Sequence, residues 1–179
     1  MEDIKVKMFG FLRKKKQSNP AEDHEKRILE YILNMHTVLS EKCKSEDGMP
    51  NIHKLDKPER IFFIAMEVDM EVGNGGFDQL FYNSAGDYAY QMEAAFLEIG
   101  AEDIAKICKK ALEVFKDPLP EDWFHRQEYL ETMREDYWGT VWDECDEQFY
   151  KNEYKLPHLL YDYIQKNSDF FPVVHGGLN

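Results

Sequence analysis

Apolar residues recur every three or four positions along most of the chain, which is the spacing that places them on one face of an α-helix. The first such stretch begins where Asn19 precedes Pro20, with Glu22 three residues after Asn19. Asn is a favourable helix N-cap, Pro fits the first helical position, and the acid at Glu22 completes a capping box. We therefore predict an amphipathic helix from this point through Leu39.

The same spacing predicts further helices, each bounded by glycine or proline. A second start at Asp56 and Pro58 leads into an apolar face that continues up to Gly73. No sustained alternation of apolar and polar residues supports a sheet. The fold class is predicted to be all-α, a single compact multi-helix domain of about seven or eight helices. The later predicted segments are a helical turn over 77–83, helices over 89–99 and 102–115, a helical stretch from Pro120 to Phe149 with a break near Gly139, and a last helix over 157–164.

Charge divides the chain into two parts. The 179 residues carry a formal net charge of -13, yet the N-terminus contains Lys5, Lys7 and the run Arg13–Lys16. We predict a basic flexible N-terminal tail over 1–18 and one acidic all-α domain over 19–179. The short apolar patch beside the basic run would give weak membrane contact and no stable membrane insertion.

The composition of the domain disfavours several classes of protein. A strongly negative surface repels phosphates, so direct nucleic-acid binding is not expected. No apolar stretch approaches the ~20 residues that span a bilayer, and a cytoplasmic location is predicted. Cys43, Cys108 and Cys145 lie far apart and are odd in number, so they predict buried free thiols rather than disulfides or a zinc site.

The passage from Glu71 to Gly86 is the most unusual in the chain, because three glycines fall within four positions. Glycines permit positive φ angles, which predicts a sharp corner between two helices, with Asn74 as a candidate cap. An anion-binding loop is the alternative, but the preceding strand and following Lys-Ser/Thr of phosphate loops are missing. The polar side chains of the passage could instead line a binding pocket. The predicted structural motif comprises Gly73, Asn74, Gly75, Gly76, Phe77, Asp78, Gln79, Asn83 and Gly86.

The run Glu71-Val72-Gly73-Asn74-Gly75-Gly76-Phe77 resembles the Glu-Val-Asn-Asn-Gly-Gly-Phe motif of the bacterial DNA-mimic protein family, an acidic all-α domain otherwise of unknown function. The similarity extends through Ala94–Ala101 to Phe115 and covers residues 57–117. Gly73 departs from the family pattern, which usually has Asn there. The resemblance implies an all-α fold and, from a characterised dimeric member, occupation of the DNA-binding surface of a transcription factor.

Acidic residues concentrate between Glu113 and Glu153, where thirteen acids stand against four bases. On a helix, the glutamates of this segment lie opposite the apolar stripe and face solvent. Such an acidic row could occupy the Lys and Arg residues with which a DNA-binding protein holds phosphates, and a plain solvated face is the alternative. The residues predicted to bind a partner are Glu121, Asp122, Glu128, Glu131, Glu135, Asp136, Asp143, Asp146 and Glu147.

The predicted function is that of a non-catalytic acidic binding protein, a DNA mimic that competes with DNA for a basic DNA-binding protein. An immunity-type inhibitor of a basic toxin such as a nuclease fits the same charge, and exposed aromatic residues would support a homodimer. A metal-dependent helical-bundle enzyme is disfavoured, since Glu121, His125 and Glu128 lack the second Glu-x-x-His pair of such sites. No catalytic residue, metal ligand or cofactor is predicted.

Overall fold

Seven α-helices build the described part of the protein. The computed structural model describes residues 19–46, 48–133 and 139–174. Four short 3₁₀-helices occur in these ranges, and no β-strand does, so the all-α fold class is confirmed. The α-helices are α1 (Pro20–Cys43), α2 (Lys57–Tyr82), α3 (Ala89–Ile99), α4 (Glu102–Leu112), α5 (Trp123–Met133), α6 (Gly139–Asn152) and α7 (Leu156–Lys166), and the 3₁₀-helices are Ile52–Lys54, Ser84–Tyr88, Glu153–Lys155 and Ser168–Phe170.

Helices α1 and α2 begin where the sequence predicts. The Asn19 side chain accepts a hydrogen bond from the Ala21 N–H at 3.3 Å, and Pro20 opens α1. Before α2, the Asp56 N–H donates to Glu59 Oε2 at 2.9 Å and closes a capping box. Both starts are predictable because the capping groups are neighbours in the sequence.

Two polar pairs join α1 to α2. Glu59 is 0% exposed, and Lys42 Nζ donates to both of its carboxylate oxygens at 2.6 Å. In the second pair, which lies nearer the start of α1, His36 Nε2 is 2.7 Å from Glu67 Oε1. The residue numbers fall on α1 as they rise on α2, so the two long helices run antiparallel.

Helix α2 is interrupted at two glycines. Gly75 has φ -156° and ψ 17°, and Gly76 has φ 79° and ψ -173°, neither of which is helical. The sequence predicted that a helix ends at this run and that a short helical turn follows. In the structure the helix resumes at Phe77 and continues to Tyr82, so both halves belong to one broken element.

The core surrounds α2, which packs against α1, α3, α5, α6 and α7. Phe77, Phe81 and Phe149 are fully buried there, with the Phe77 and Phe149 rings edge to face at 6.0 Å. Helix α4 packs on α3 and α6, and Trp142 Nε1 donates to the Ala111 carbonyl at 3.0 Å. The three cysteines are buried and free, as predicted.

Some predicted boundaries differ from the structure or lie outside it. Helix α4 ends at Leu112 rather than Phe115, since the chain leaves the helix through a turn in which the Phe115 N–H donates to the Leu112 carbonyl. The predicted tail over 1–18 lies outside the described residues, as does the junction 134–138 between α5 and α6. No helix in the described ranges combines the length and the apolar character needed to cross a membrane.

Candidate partner-binding site

The glycine corner, formed by Gly75 and Gly76, is held by a carboxylate from α6. The Phe77 N–H, the first free donor after the corner, donates to Asp146 Oδ1 at 2.9 Å. Gly76 is buried, and a Cβ at this position would overlap the Asp146 carboxylate. The corner therefore needs glycine for its positive φ angle and also for the close approach of Asp146.

This geometry corrects two predictions. The cap of the corner is Asp146, whereas the Asn74 side chain makes no hydrogen bond within the described part of the chain. Asp146 was placed in an outward-facing acidic row, but it is partly buried and directed at the corner. Burial raises the pKa of the Asp146 carboxyl, and the nearby Asp143 and Asp78 add to that effect against the lowering by the Phe77 N–H.

A second carboxylate bridges the two halves of α2. Glu71 Oε2 accepts hydrogen bonds from Gln79 Nε2 at 2.6 Å and from Asn83 Nδ2 at 2.9 Å. Glu71 precedes the corner and both donors follow it. Two of the polar side chains that suggested a pocket, Gln79 and Asn83, thus bind Glu71 across the break.

Arg126 links the end of α2 to the start of α5. It is 0% exposed and donates from Nε to the Phe81 carbonyl at 2.7 Å, and from Nη2 to the Asn83 carbonyl at 2.8 Å. These carbonyls end α2, where the helix dipole favours a cation. The remaining bonds run to the carbonyls of Pro120 (3.1 Å) and Glu121 (2.8 Å) and to Asp87 Oδ1 (2.7 Å).

Gly86, the last residue of the motif, makes room for this arginine. Gly86 is buried, and a Cβ there would lie 2.7 Å from Arg126 Nε and 2.9 Å from the Phe81 carbonyl oxygen. Beside it, burial raises the pKa of Asp87 even though the Arg126 hydrogen bond lowers it. The motif thus contacts α5 through Arg126 and α6 through Asp146.

The acids around α5 form an exposed group, which we call the α5 acidic face and define as Glu121, Asp122, Glu128 and Glu131. Asp122 accepts hydrogen bonds from the His125 N–H at 3.1 Å and from the His125 ring at 2.8 Å, and the first of these lowers its pKa. The side chains of Glu121 and Glu128 form no ion pair with a described residue. At least half of this face is therefore not neutralised from within the described chain.

The predicted acids of α6 are less uniform. Asp143 is exposed and has no ion pair among the residues described, while Glu147 is exposed and lies 3.5 Å from Lys151 Nζ. Glu144, which was not in the predicted set, is paired with Lys110 at 2.8 Å. The predicted residues Glu135 and Asp136 lie outside the described residues.

Two residues that sequence reasoning missed lie within the α5 acidic face. Trp123 is 45% exposed and Phe124 is 55% exposed, and their rings meet edge to face at 6.5 Å. Large aromatic side chains left in solvent beside charged ones are typical of protein interfaces. The sequence did contain a signal for their exposure. Trp123 and Phe124 directly follow two acids and do not fit the three-to-four-residue spacing of the apolar positions on α5.

The side chains considered for chemistry were His125 and the three cysteines. His125 is exposed and hydrogen-bonded to Asp122, and no group of three metal-ligating side chains occurs within the described ranges. Burial raises the pKa of all three cysteine thiols, most strongly that of Cys108, which disfavours the reactive thiolate.

The glycine corner, α5 and α6 all lie within a region that matches a known protein family. The model of the DMP19-like protein family matches residues 53–167, which is more than half of the chain. The chain belongs to this DMP19-like family. The match confirms the resemblance to DNA-mimic proteins and extends it beyond residues 57–117. The DMP19-like region includes α2 through α7 and leaves α1 outside. No curated protein and no solved structure matches the chain significantly.

Proposed function

We propose that the chain is a non-catalytic acidic binding protein that competes with DNA for the basic surface of a DNA-binding protein. The observation that carries the proposal is the α5 acidic face, whose Glu121 and Glu128 have no ion pair with described residues and flank the exposed Trp123 and Phe124. Membership of the DMP19-like family supports it. A cytoplasmic location suits such a partner.

The spacing of the acids on α5 limits how closely they can reproduce the charge of DNA. Helical residues rise ~1.5 Å each, so Glu128 and Glu131 are separated by ~4.5 Å along the axis. Duplex DNA carries one negative charge per ~1.7 Å of axis. The α5 acidic face is sparser than DNA, so Trp123 and Phe124 supply apolar contact that DNA does not offer. The same rings would suit a homodimer, which remains a prediction.

The first test reverses charge on the α5 acidic face. We expect the double variant Glu128→Lys and Glu131→Lys to keep its helix content, because both side chains are exposed. It should capture about tenfold less of a basic partner at low salt, since each lost ion contact costs up to about 1 kcal/mol at an exposed site. The measurement is capture from native lysate at low and high salt, followed by competition of the captured protein with labelled duplex DNA.

The matched control reverses Glu41 and Glu46, two exposed acids at the end of α1 and in the turn after it. It changes net charge by the same amount and should capture like the wild type. Variants Trp123→Ala and Phe124→Ala should weaken capture without changing its salt dependence, because they remove no charge. If the α5 variant and the control lost capture equally, the effect would come from net charge and not from the α5 acidic face. A captured protein that duplex DNA does not displace would reject mimicry and favour the immunity-type alternative.

A further inference from the structure

A cavity of about 320 Å³ is lined by residues of α1, α2, α6 and α7 and of the 3₁₀-helix between α6 and α7. Its walls include Leu29, Ile32, Met66, Met70 and Leu160, which are apolar. Pockets for small organic ligands begin at about this volume and are mostly apolar in their lining. The predicted motif contributes Gly73 and Asn74 to the rim, although the motif was not assigned a ligand.

Two carboxylates enter this apolar cavity. Asp69 on α2 and Glu153 after α6 both line it, and both are partly buried. Neither carboxylate has a hydrogen bond or an ion pair with any residue in the described ranges. Burial raises the pKa of Asp69 to about 7, with a further contribution from the negative charge of Glu153, whose own pKa burial also raises. Two partly buried carboxylates with no partner among the described residues indicate that the cavity favours a cation.

The other described groups that line the cavity with Asp69 supply no positive charge. Helices α1 and α7 present apolar side chains to the cavity, and α6 presents Tyr150, whose hydroxyl donates to the Val72 carbonyl at 2.9 Å. Tyr154 forms the outer rim, 66% exposed, with Lys155 Nζ lying 5.2 Å from its ring centroid. Within the described ranges, no lysine, arginine or histidine lines the cavity.

We propose that this cavity binds an organic cation, an ammonium or guanidinium group carried on an apolar body. The cation would pair with the carboxylates of Asp69 and Glu153, and its apolar part would contact Met66 and Met70. Aromatic rings at the rim suit such a group because their faces attract cations. A bare metal ion fits less well, since hard cations require six or more oxygen ligands and no group of three candidate ligands occurs in the described residues.

The test uses the full chain with phenethylammonium chloride and with 2-phenylethanol, which has the same ring and no charge. Binding is followed by the NMR methyl signals of Met66, Met70 and Leu29. We expect saturable shifts with the amine and an affinity about tenfold above that of the alcohol. The amine affinity should rise between about pH 5.5 and pH 8, because a proton competes for Asp69 below its raised pKa and is released when the cation binds.

The variant Asp69→Asn should lose about tenfold in amine affinity, lose the pH dependence, and bind the alcohol as the wild type does. It should fold well, because the native state binds a proton at Asp69 more tightly than the unfolded chain. The contribution of Asp69 to wild-type stability therefore falls as pH rises from about 4 to about 7, and the variant avoids this loss. Its Tm at pH 8 should exceed that of the wild type. The control Asp162→Asn removes an exposed acid of α7 outside the cavity and should change none of these values.

Two probes distinguish the sources of the cation. If N-acetyl-lysine methylamide binds more tightly than phenethylammonium, the cation is a side chain of a protein partner; the reverse order indicates a free small molecule. The proposal is overturned if neither probe gives saturable shifts, if the alcohol binds as tightly as the amine, or if Asp69→Asn leaves amine binding unchanged. None of these results depends on the α5 acidic face.

Discussion

Replacing Arg126 with methionine is expected to lower the free energy of unfolding by about 3–5 kcal/mol, the range found when one member of a buried ionic network is removed. Methionine fills most of the space of the arginine stem but donates nothing. The carbonyls of Phe81 and Asn83 would lose the donors that satisfy them at the end of α2. Buried acceptors without partners cost about 1–3 kcal/mol each, so the network accounts for the effect.

Urea unfolding followed by circular dichroism would measure this loss, with Lys106→Met as the matched control. Lys106 is also a long cation, but its side chain is 71% exposed and pairs with Asp103, itself exposed, at 3.4 Å. The control should change stability by less than about 0.5 kcal/mol. An Arg126→Met protein as stable as the control would show that the hydrogen bonds of Arg126 contribute little. Native-like helix content with lost partner capture would instead show that Arg126 orients α5.

Replacing Gly76 with alanine is expected to cost about 2–4 kcal/mol. The backbone at Gly76, with φ 79° and ψ -173°, belongs to a region that is almost restricted to glycine, and a side chain there costs about 1–3 kcal/mol. The new methyl group would also overlap the Asp146 carboxylate and displace it from the Phe77 N–H. Loss of a helix cap adds about 1 kcal/mol.

Gly73→Ala provides a control three residues away in the same motif. Gly73 has helical geometry, and a Cβ there would meet no atom within 4 Å. Alanine is the better helix former, so this variant should gain about 0.5–1 kcal/mol. If the corner requires glycine only at the break, thermal unfolding should show a lower Tm for Gly76→Ala and a higher Tm for Gly73→Ala. A destabilised Gly73→Ala variant would mean that the whole glycine run, and not the break alone, is needed.

The sequence predicted the features of this fold that depend on neighbouring residues. The cap at Asn19, the capping box at Asp56 and the break near Gly75 each arise within a few positions, so local patterns are sufficient. The hydrogen bonds that hold the glycine corner and α5 in place join residues that are far apart in the sequence. Arg126 reaches Phe81 across 45 positions and Asp146 reaches Phe77 across 69. Helical periodicity placed Asp146 beside Asp143 on a solvent-facing row, because periodicity contains no information about a distant donor such as the Phe77 N–H.

The cavity could have been suspected from one local signal. Met66, Asp69, Met70 and Gly73 follow the spacing of a single helix face, and an acid in the middle of an apolar face is unusual. The sequence could not show that Glu153, which lies on a different element, joins Asp69 as a second partly buried acid in the cavity. The exposure of Trp123 and Phe124 was likewise undetermined, because it depends on which face of α5 the buried Arg126 selects.

The passage from Glu71 to Gly86 holds α5 through Arg126 and α6 through Asp146. Neither residue belongs to the α5 acidic face. Arg126 points inward while Glu128 and Glu131 point outward on the same helix. The scaffold and its outer charges are therefore separable, and α5 can be recoded without touching what anchors it. This makes the protein a suitable frame for redesign, in which new surface residues on α5 would retarget binding while the anchoring arginine and the glycines stay in place.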